Sequence, residues 1–113
     1  MVRGAKELAT GKARPGMPCS QLDKIARGYV EDKGYGSYFR HGLGHGVGLE
    51  IHEGPQISGM SGDIIMPGMV FTIEPGIYVP GWGGIRIEDM VKMGDFGAQA
   101  VPAFGDGSLT QIN

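Results

Sequence analysis

Residues 41–55, which read HGLGHGVGLEIHEGP, decide how this chain folds. Glycine stands at every second position from Gly42 to Gly48. Each glycine costs about 1 kcal/mol in a helix interior, so a helix over residues 41–48 is excluded. We predict a short strand from Val47 to His52 instead. The flanking glycines let the backbone at His45 approach a neighbouring segment closely.

The sequence before this stretch is helical. One helix is predicted by an apolar stripe at positions i, i+3, i+4, i+7 and i+8, formed by Leu22, Ile25, Ala26, Tyr29 and Val30. Ser20 is the candidate N-cap, with Asp23 in a capping-box position, and Gly34 is the expected stop. An earlier helix begins near Val2 and is broken by the proline- and glycine-rich residues 14–18.

The sequence after the histidine stretch alternates as β-strands do. Residues 69–74, MVFTIE, predict a strand that a Pro-Gly pair ends, and residues 77–79 can continue it. Residues 80–84, PGWGG, predict a turn, and residues 84–93 alternate again between two faces. Helices followed by antiparallel strands predict an α+β fold.

All three histidines of the chain lie in the deciding stretch: His41, His45 and His52. A single histidine is more often structural than functional. Three of them in one glycine-rich segment favour a functional role, because imidazole is the commonest metal ligand and carries protons near neutral pH.

Two glutamates join the histidines through the alternation of strand faces. Glu74 shares a face with Thr72, and Glu88 shares a face with Arg86. On neighbouring antiparallel strands the two carboxylates would converge, and they would repel each other unless a cation or a shared proton lay between them. The alternative is two exposed glutamates on a solvated sheet face. Histidine and glutamate without cysteine suit Zn²⁺, Mn²⁺, Co²⁺ or Fe²⁺.

Three motifs in order resemble the pita-bread metallopeptidases, a family that includes methionine aminopeptidase, aminopeptidase P, prolidase and creatinase. The deciding stretch resembles the family's histidine segment. Residues 67–78, PGMVFTIEPGIY, resemble its first glutamate strand, and residues 83–89, GGIRIED, resemble its last ligand strand. The resemblance spans roughly residues 12–93 and implies the C-terminal half of the pita-bread fold. One or two helices would pack on a curved antiparallel sheet in a single partial catalytic domain over residues 1–113.

Two details indicate the branch of the family. His41 stands four positions before His45, and Arg86 begins an Arg-x-Glu-Asp pattern. Methionine aminopeptidases usually lack both features, and both are similar to Xaa-Pro dipeptidase (prolidase) and Xaa-Pro aminopeptidase. The implied function is hydrolysis of the peptide bond before proline by a metal-bound hydroxide, with proline-containing peptides as substrates.

The resemblance also implies roles for six residues. The metal ligands would be His45, Glu74 and Glu88. The catalytic residues, which contact the substrate or orient the site, would be His41, His52 and Arg86. The expected cofactor is a divalent metal, Mn²⁺ before Co²⁺ or Zn²⁺, and the family holds two such ions.

The chain departs from the family in one respect. The family takes two further aspartate ligands from a hairpin upstream of the matching region, and no aspartate here corresponds to them. The small N-terminal domain common in the Xaa-Pro branch has no counterpart among these residues either. We therefore expect weak activity or none from this chain alone. A non-catalytic binding or assembly module is the alternative, although the three retained ligands favour catalytic descent. A half-fold leaves a sheet edge uncovered, so we also expect a homodimer.

Composition excludes several other function classes. A net charge of −2, from 10 basic and 12 acidic residues, gives no basic surface for nucleic acid. No apolar run approaches the ~20 residues of a membrane helix. One cysteine, Cys19, fits a reducing compartment, so we expect a cytoplasmic protein. The 22 glycines could indicate low complexity, but they alternate with β-branched and aromatic residues. The glycine segment lacks the Gly-Lys-Ser/Thr of a phosphate loop.

Overall fold

The computed structural model describes residues 1–47 and 55–101 in full, together with the backbone of residues 109–112. Two helices come first, α1 (Val2–Lys12) and α2 (Cys19–Asp32), followed by a 3₁₀ turn at Gly36–Tyr38. The strands in the described ranges are β1 (Gly44–His45), β2 (Gln56–Ile57), β3 (Val70–Ile73), β4 (Gly76–Val79), β5 (Gly83–Ile87), β6 (Asp89–Met93), β7 (Ala98–Ala100) and β8 (Leu109–Ile112). Every pairing between these strands is antiparallel, which confirms the α+β prediction.

Helix α2 ends as its sequence predicts. Gly34 has a φ of 88°, a conformation that glycine adopts without strain. Its N–H donates to the carbonyl of Glu31, and the N–H of Tyr35 donates to the carbonyl of Val30. These two hydrogen bonds form a Schellman motif, which satisfies carbonyls that the helix end leaves open.

The predicted start of α2 at Ser20 is wrong. The N-cap is Pro18, and no side chain caps the helix. The helix starts earlier because the N–H of Cys19 donates to the carbonyl of Asp63 at 2.9 Å. A distant segment therefore satisfies the first backbone donor, and Asp23 is free to make a different contact.

Cys19 is fully buried at this helix start. Burial, and secondly the negative charge of Asp63, raises the pKa of its thiol from 9.0 to about 11. The unfolded thiol ionises first as pH rises, so we expect the free energy of unfolding to fall from pH 9 to about pH 11.

The thiolate is the reactive form of this cysteine. Native protein at pH 8 should therefore react slowly with Ellman's reagent and denatured protein quickly, and equal rates would contradict this burial.

The core lies between the two helices and the sheets. Three of the five residues in the predicted stripe of α2 are fully buried: Leu22, Ala26 and Val30. From the strands, the fully buried side chains include Ile57, Phe71, Ile73, Ile87, Val91 and Met93. In the described part of the chain, no helix has the length and apolarity needed to cross a membrane.

Strands β3 and β4 form one arm of a long β-hairpin, and β5 and β6 form the other. Each arm passes from one sheet to another at the same level. The predicted strand over residues 69–74 ends at Ile73, and residues 76–79 form a separate strand rather than a continuation. The predicted single strand over residues 84–93 is likewise two strands, interrupted at Glu88. Pro75 explains the first break, because proline has no N–H to donate to a sheet ladder.

The register of the hairpin continues across these breaks. Ile73 pairs with Asp89 in the sheet β3-β6-β7, and Gly76 pairs with Arg86 in the sheet β4-β5-β8. The intervening Glu74 and Glu88 therefore stand opposite each other along the two arms. The break lets the two sheets diverge, and it places both glutamates at the junction between them.

Candidate metal and substrate site

The histidine segment is held against β3. The N–H of Glu74 donates to the carbonyl of Leu43, and the N–H of Val47 donates to the carbonyl of Val70. An antiparallel bridge joins Gly46 to Phe71 between them. On its other side β1 pairs with β2. Residues 43–47 thus lie between β2 and β3. The strand predicted over residues 47–52 falls almost wholly outside the described residues, and Val47 itself is not in a strand.

Gly44 permits this close docking. A Cβ at Gly44 would overlap the carbonyl oxygen of Thr72 and lie 2.6 Å from the carbonyl carbon. The N–H of the next residue, His45, donates to the Thr72 hydroxyl at 3.0 Å. The glycine spacing noted in the sequence therefore lets β1 approach β3, and His45 lies beside Glu74 as a result.

His45 and Glu74 form the centre of the site. The Nε2 atom of His45 lies 3.6 Å from the Oε2 atom of Glu74. The Nδ1 atom lies 3.0 Å from the carbonyl of Gly46. A carbonyl only accepts, so Nδ1 carries the proton. When the ring is neutral, the lone pair on His45 Nε2 faces a lone pair on Glu74 Oε2 across 3.6 Å. A cation between the two atoms would suit this arrangement. A backbone carbonyl behind the ring is also usual for metal-binding histidines.

His41 presents a second anchored imidazole. Its Nδ1 atom lies 2.7 Å from the carbonyl of Gly42, so this nitrogen also carries the proton. Its Nε2 atom is buried and has no hydrogen-bond partner among the described residues. The ring packs edge-on against Phe39 and Tyr78. A buried polar atom without a partner is rare, and a substrate group would satisfy this one.

A pocket of about 460 Å³ connects these side chains. Its lining includes four of the six predicted site residues: His41, His45, Glu74 and Arg86. Glu88 stands opposite Glu74 in the register but does not line the pocket, and His52 lies outside the described residues. Among the residues that the structure describes, no three His, Cys, Asp or Glu side chains gather tightly enough to hold a metal ion.

The donors in this pocket nevertheless fit a divalent metal in kind. They are an imidazole nitrogen whose other nitrogen is anchored on a carbonyl, and a carboxylate oxygen 3.6 Å away. The structure therefore brings two of the three predicted ligands together, and the ligand roles of His45, Glu74 and Glu88 all stay predictions. Sequence reasoning missed Tyr78 as a lining residue. The alternation that pointed to Glu74 could have found it, because residues 74, 76 and 78 share one strand parity.

A comparison with protein families agrees with the histidine and glutamate residues of this pocket. Residues 1–95 match metallopeptidase family M24, and the chain belongs to that family. The recognition made from the three motifs is thereby confirmed, and family membership implies a divalent metal.

Within this family, the chain is similar to enzymes that are named for Xaa-Pro substrates. The chain is 52% identical over 99 residues to the Xaa-Pro dipeptidase of Pyrococcus furiosus, a match that covers 88% of this chain and 28% of the relative. It superposes on the prolidase structure from Pyrococcus furiosus with a TM-score of 0.84 at 52% identity, covering 88% and 29% of the two chains. For the X-Pro aminopeptidase structure from Thermotoga maritima the TM-score is 0.82 at 45% identity, with coverage of 88% and 28%.

These likenesses confirm the fold as part of the pita-bread architecture. The chain spans less than a third of the length of the curated relatives it matches.

Proposed function

We propose that this chain supplies the histidine and glutamate part of a metal-dependent peptidase that hydrolyses the bond before proline. The observation that carries the proposal is the pairing of His45 with Glu74 at 3.6 Å in a pocket shared with His41 and Arg86. Relatives at about 50% identity bear the name Xaa-Pro dipeptidase, and a similar structure bears the name X-Pro aminopeptidase. Proline-containing peptides are therefore the proposed substrates.

Four side chains of the pocket, together with Glu88, have chemical tasks in this proposal. His45 and Glu74 would hold a divalent metal, with Glu88 as a further ligand from the opposite arm. When bound, the metal supplies Lewis-acid activation of water and of the peptide carbonyl. His41 would hydrogen-bond the substrate through its open Nε2 atom, and the Arg86 guanidinium would balance the carboxylate charge. Mn²⁺ is the proposed ion, because oxygen-rich ligation suits harder cations.

Metal titration tests the proposal most directly. We expect the chain to bind fewer than two equivalents of Mn²⁺ or Zn²⁺, measured by isothermal titration calorimetry. His45→Ala and Glu74→Gln should each weaken binding more than about 10-fold, since the loss of even an outer partner of a metal ligand costs that much. Glu7→Gln removes the same charge from an exposed position of α1 and should change nothing.

Two outcomes would contradict the site. One is equal weakening by Glu74→Gln and Glu7→Gln, and the other is tight binding that survives both His45→Ala and Glu74→Gln.

A binding or assembly module remains the second candidate function. It is favoured by the observation that no third His, Cys, Asp or Glu side chain joins His45 and Glu74 closely enough to hold a metal ion among the described residues. Release of proline from an Xaa-Pro dipeptide with added Mn²⁺ would exclude the binding module, because such a module would release none. The homodimer and the cytoplasmic location stay predictions, and light scattering checks the first.

A further inference from the structure

Two charged residues of α2 form an ion pair beneath the histidine segment. Arg27 donates from Nε to Asp23 Oδ2 at 2.9 Å and from Nη2 to Asp23 Oδ1 at 3.1 Å. This two-point geometry is the strong form of an arginine–carboxylate pair. The Asp23 side chain is 1% exposed and that of Arg27 is 29% exposed. The spacing i, i+4 puts both on one helix face.

The pair hydrogen-bonds the backbone of every second residue leading to His45. Arg27 donates from Nη1 to the carbonyl of Phe39 at 2.7 Å and from Nη2 to the carbonyl of His41 at 2.8 Å. The N–H of Leu43 donates to Asp23 Oδ1 at 3.0 Å. The guanidinium also lies 4.1 Å from the centre of the Phe39 ring, a cation–π contact. Residues 39–43 are therefore fixed to α2 at three successive points.

Leu43 connects this pair to both proposed metal ligands. Its N–H is bound to Asp23, while its carbonyl accepts the N–H of Glu74 at 2.7 Å. His45 follows two residues later, on the strand that the same hydrogen bonds hold against β3. A shift of residue 43 relative to α2 would therefore strain its hydrogen bond to Glu74 and change the position of His45 relative to Glu74.

We propose that Asp23 and Arg27 are positioning residues that set the spacing between His45 and Glu74. This inference rests on the proposed function, because it assigns the pair a task in metal binding. The task needs the planar fork of arginine, which reaches Asp23 and two carbonyls at once. A lysine keeps the charge, but its donors radiate from one nitrogen and cannot span these acceptors.

The test compares Arg27→Lys with Arg14→Lys. Arg14 also donates to two backbone carbonyls, those of Gly11 and Ala13, but at the end of α1. We expect Arg27→Lys to weaken Mn²⁺ affinity about 10-fold. In the metal-free protein it should also speed amide hydrogen exchange of Leu43 and Glu74 about 10-fold relative to amides within α1. Arg14→Lys should change neither quantity.

The two readouts separate a positioning role from a structural one. A residue that only stabilises the fold would raise exchange throughout the chain and leave the affinity of the folded protein unchanged, which would overturn the proposal. So would local exchange equal to that of Arg14→Lys. If Arg27→Lys does not fold, Asp23→Asn provides the same comparison. If the unaltered chain binds no metal, the proposed function fails, and faster exchange at Leu43 and Glu74 would still show the pair holding this segment.

Discussion

Replacing Gly44 with alanine is expected to lower the free energy of unfolding by at least about 3 kcal/mol, the upper part of the range for overpacked sites. The new methyl group would overlap the backbone carbonyl of Thr72. That carbonyl cannot easily retreat, because Thr72 is paired with Met90 in the centre of the β3–β6 ladder. The strain would therefore force β1 away from β3, and His45 away from Glu74. Urea unfolding followed by circular dichroism measures the loss.

Gly28→Ala is the matched control for this substitution. Gly28 lies inside α2, and beyond the adjacent backbone of that helix a Cβ there would meet no atom within 4 Å. Alanine in a helix is more stable than glycine by roughly 0.5–1 kcal/mol, so the control should stabilise the protein. Opposite signs for the same chemical change would show that the effect at Gly44 comes from the approach of β1 to β3. A similar small effect at both positions would contradict that packing.

The helices could be predicted because their signals are local. The apolar stripe of α2 and the stop at Gly34 depend on residues within a few positions of each other, and the structure confirms both. The error at Ser20 has the opposite origin. A capping-box pattern was present in the sequence, but the carbonyl of Asp63 takes the backbone donor of Cys19 instead. A contact between segments more than 40 positions apart cannot be read from a local pattern.

The part of the site that could be predicted is the pair of glutamates, because alternate residues of a strand lie on the same face. Alternation put Glu74 and Glu88 on one face, and the continuous register places them opposite each other. The interruption at Glu88 was not predictable, because it depends on how two sheets diverge in three dimensions. Asp23 was assigned to a helix cap from its spacing, whereas its carboxylate in fact binds Arg27 and the N–H of Leu43.

The least predictable contact joins the first helix to strand β6. Lys6 of α1 and Asp89 of β6 are 83 positions apart, and their Nζ and Oδ2 atoms lie 2.7 Å apart. Both residues are buried, with side chains 11% and 8% exposed. The second carboxylate oxygen of Asp89 has no hydrogen-bond partner in the described part of the chain. Lys6 is therefore the principal compensation for a buried negative charge that directly follows Glu88.

Lys6→Met should lower the free energy of unfolding by about 3–5 kcal/mol, because removing one partner leaves the other charge buried and uncompensated. Methionine keeps an unbranched side chain as far as Cε, so the loss reports chiefly the missing charge rather than a cavity. Lys24→Met, at an exposed position of α2, should stay within about 0.5 kcal/mol of the unaltered protein. Adding Asp89→Asn to Lys6→Met removes the stranded charge and should restore more than half of the loss. Denaturant unfolding of the unaltered protein, Lys6→Met, Asp89→Asn and the double variant measures this coupling. If Lys6→Met and Lys24→Met cost the same, or if Asp89→Asn restores nothing, the ion pair does not anchor α1 to the strand that follows Glu88.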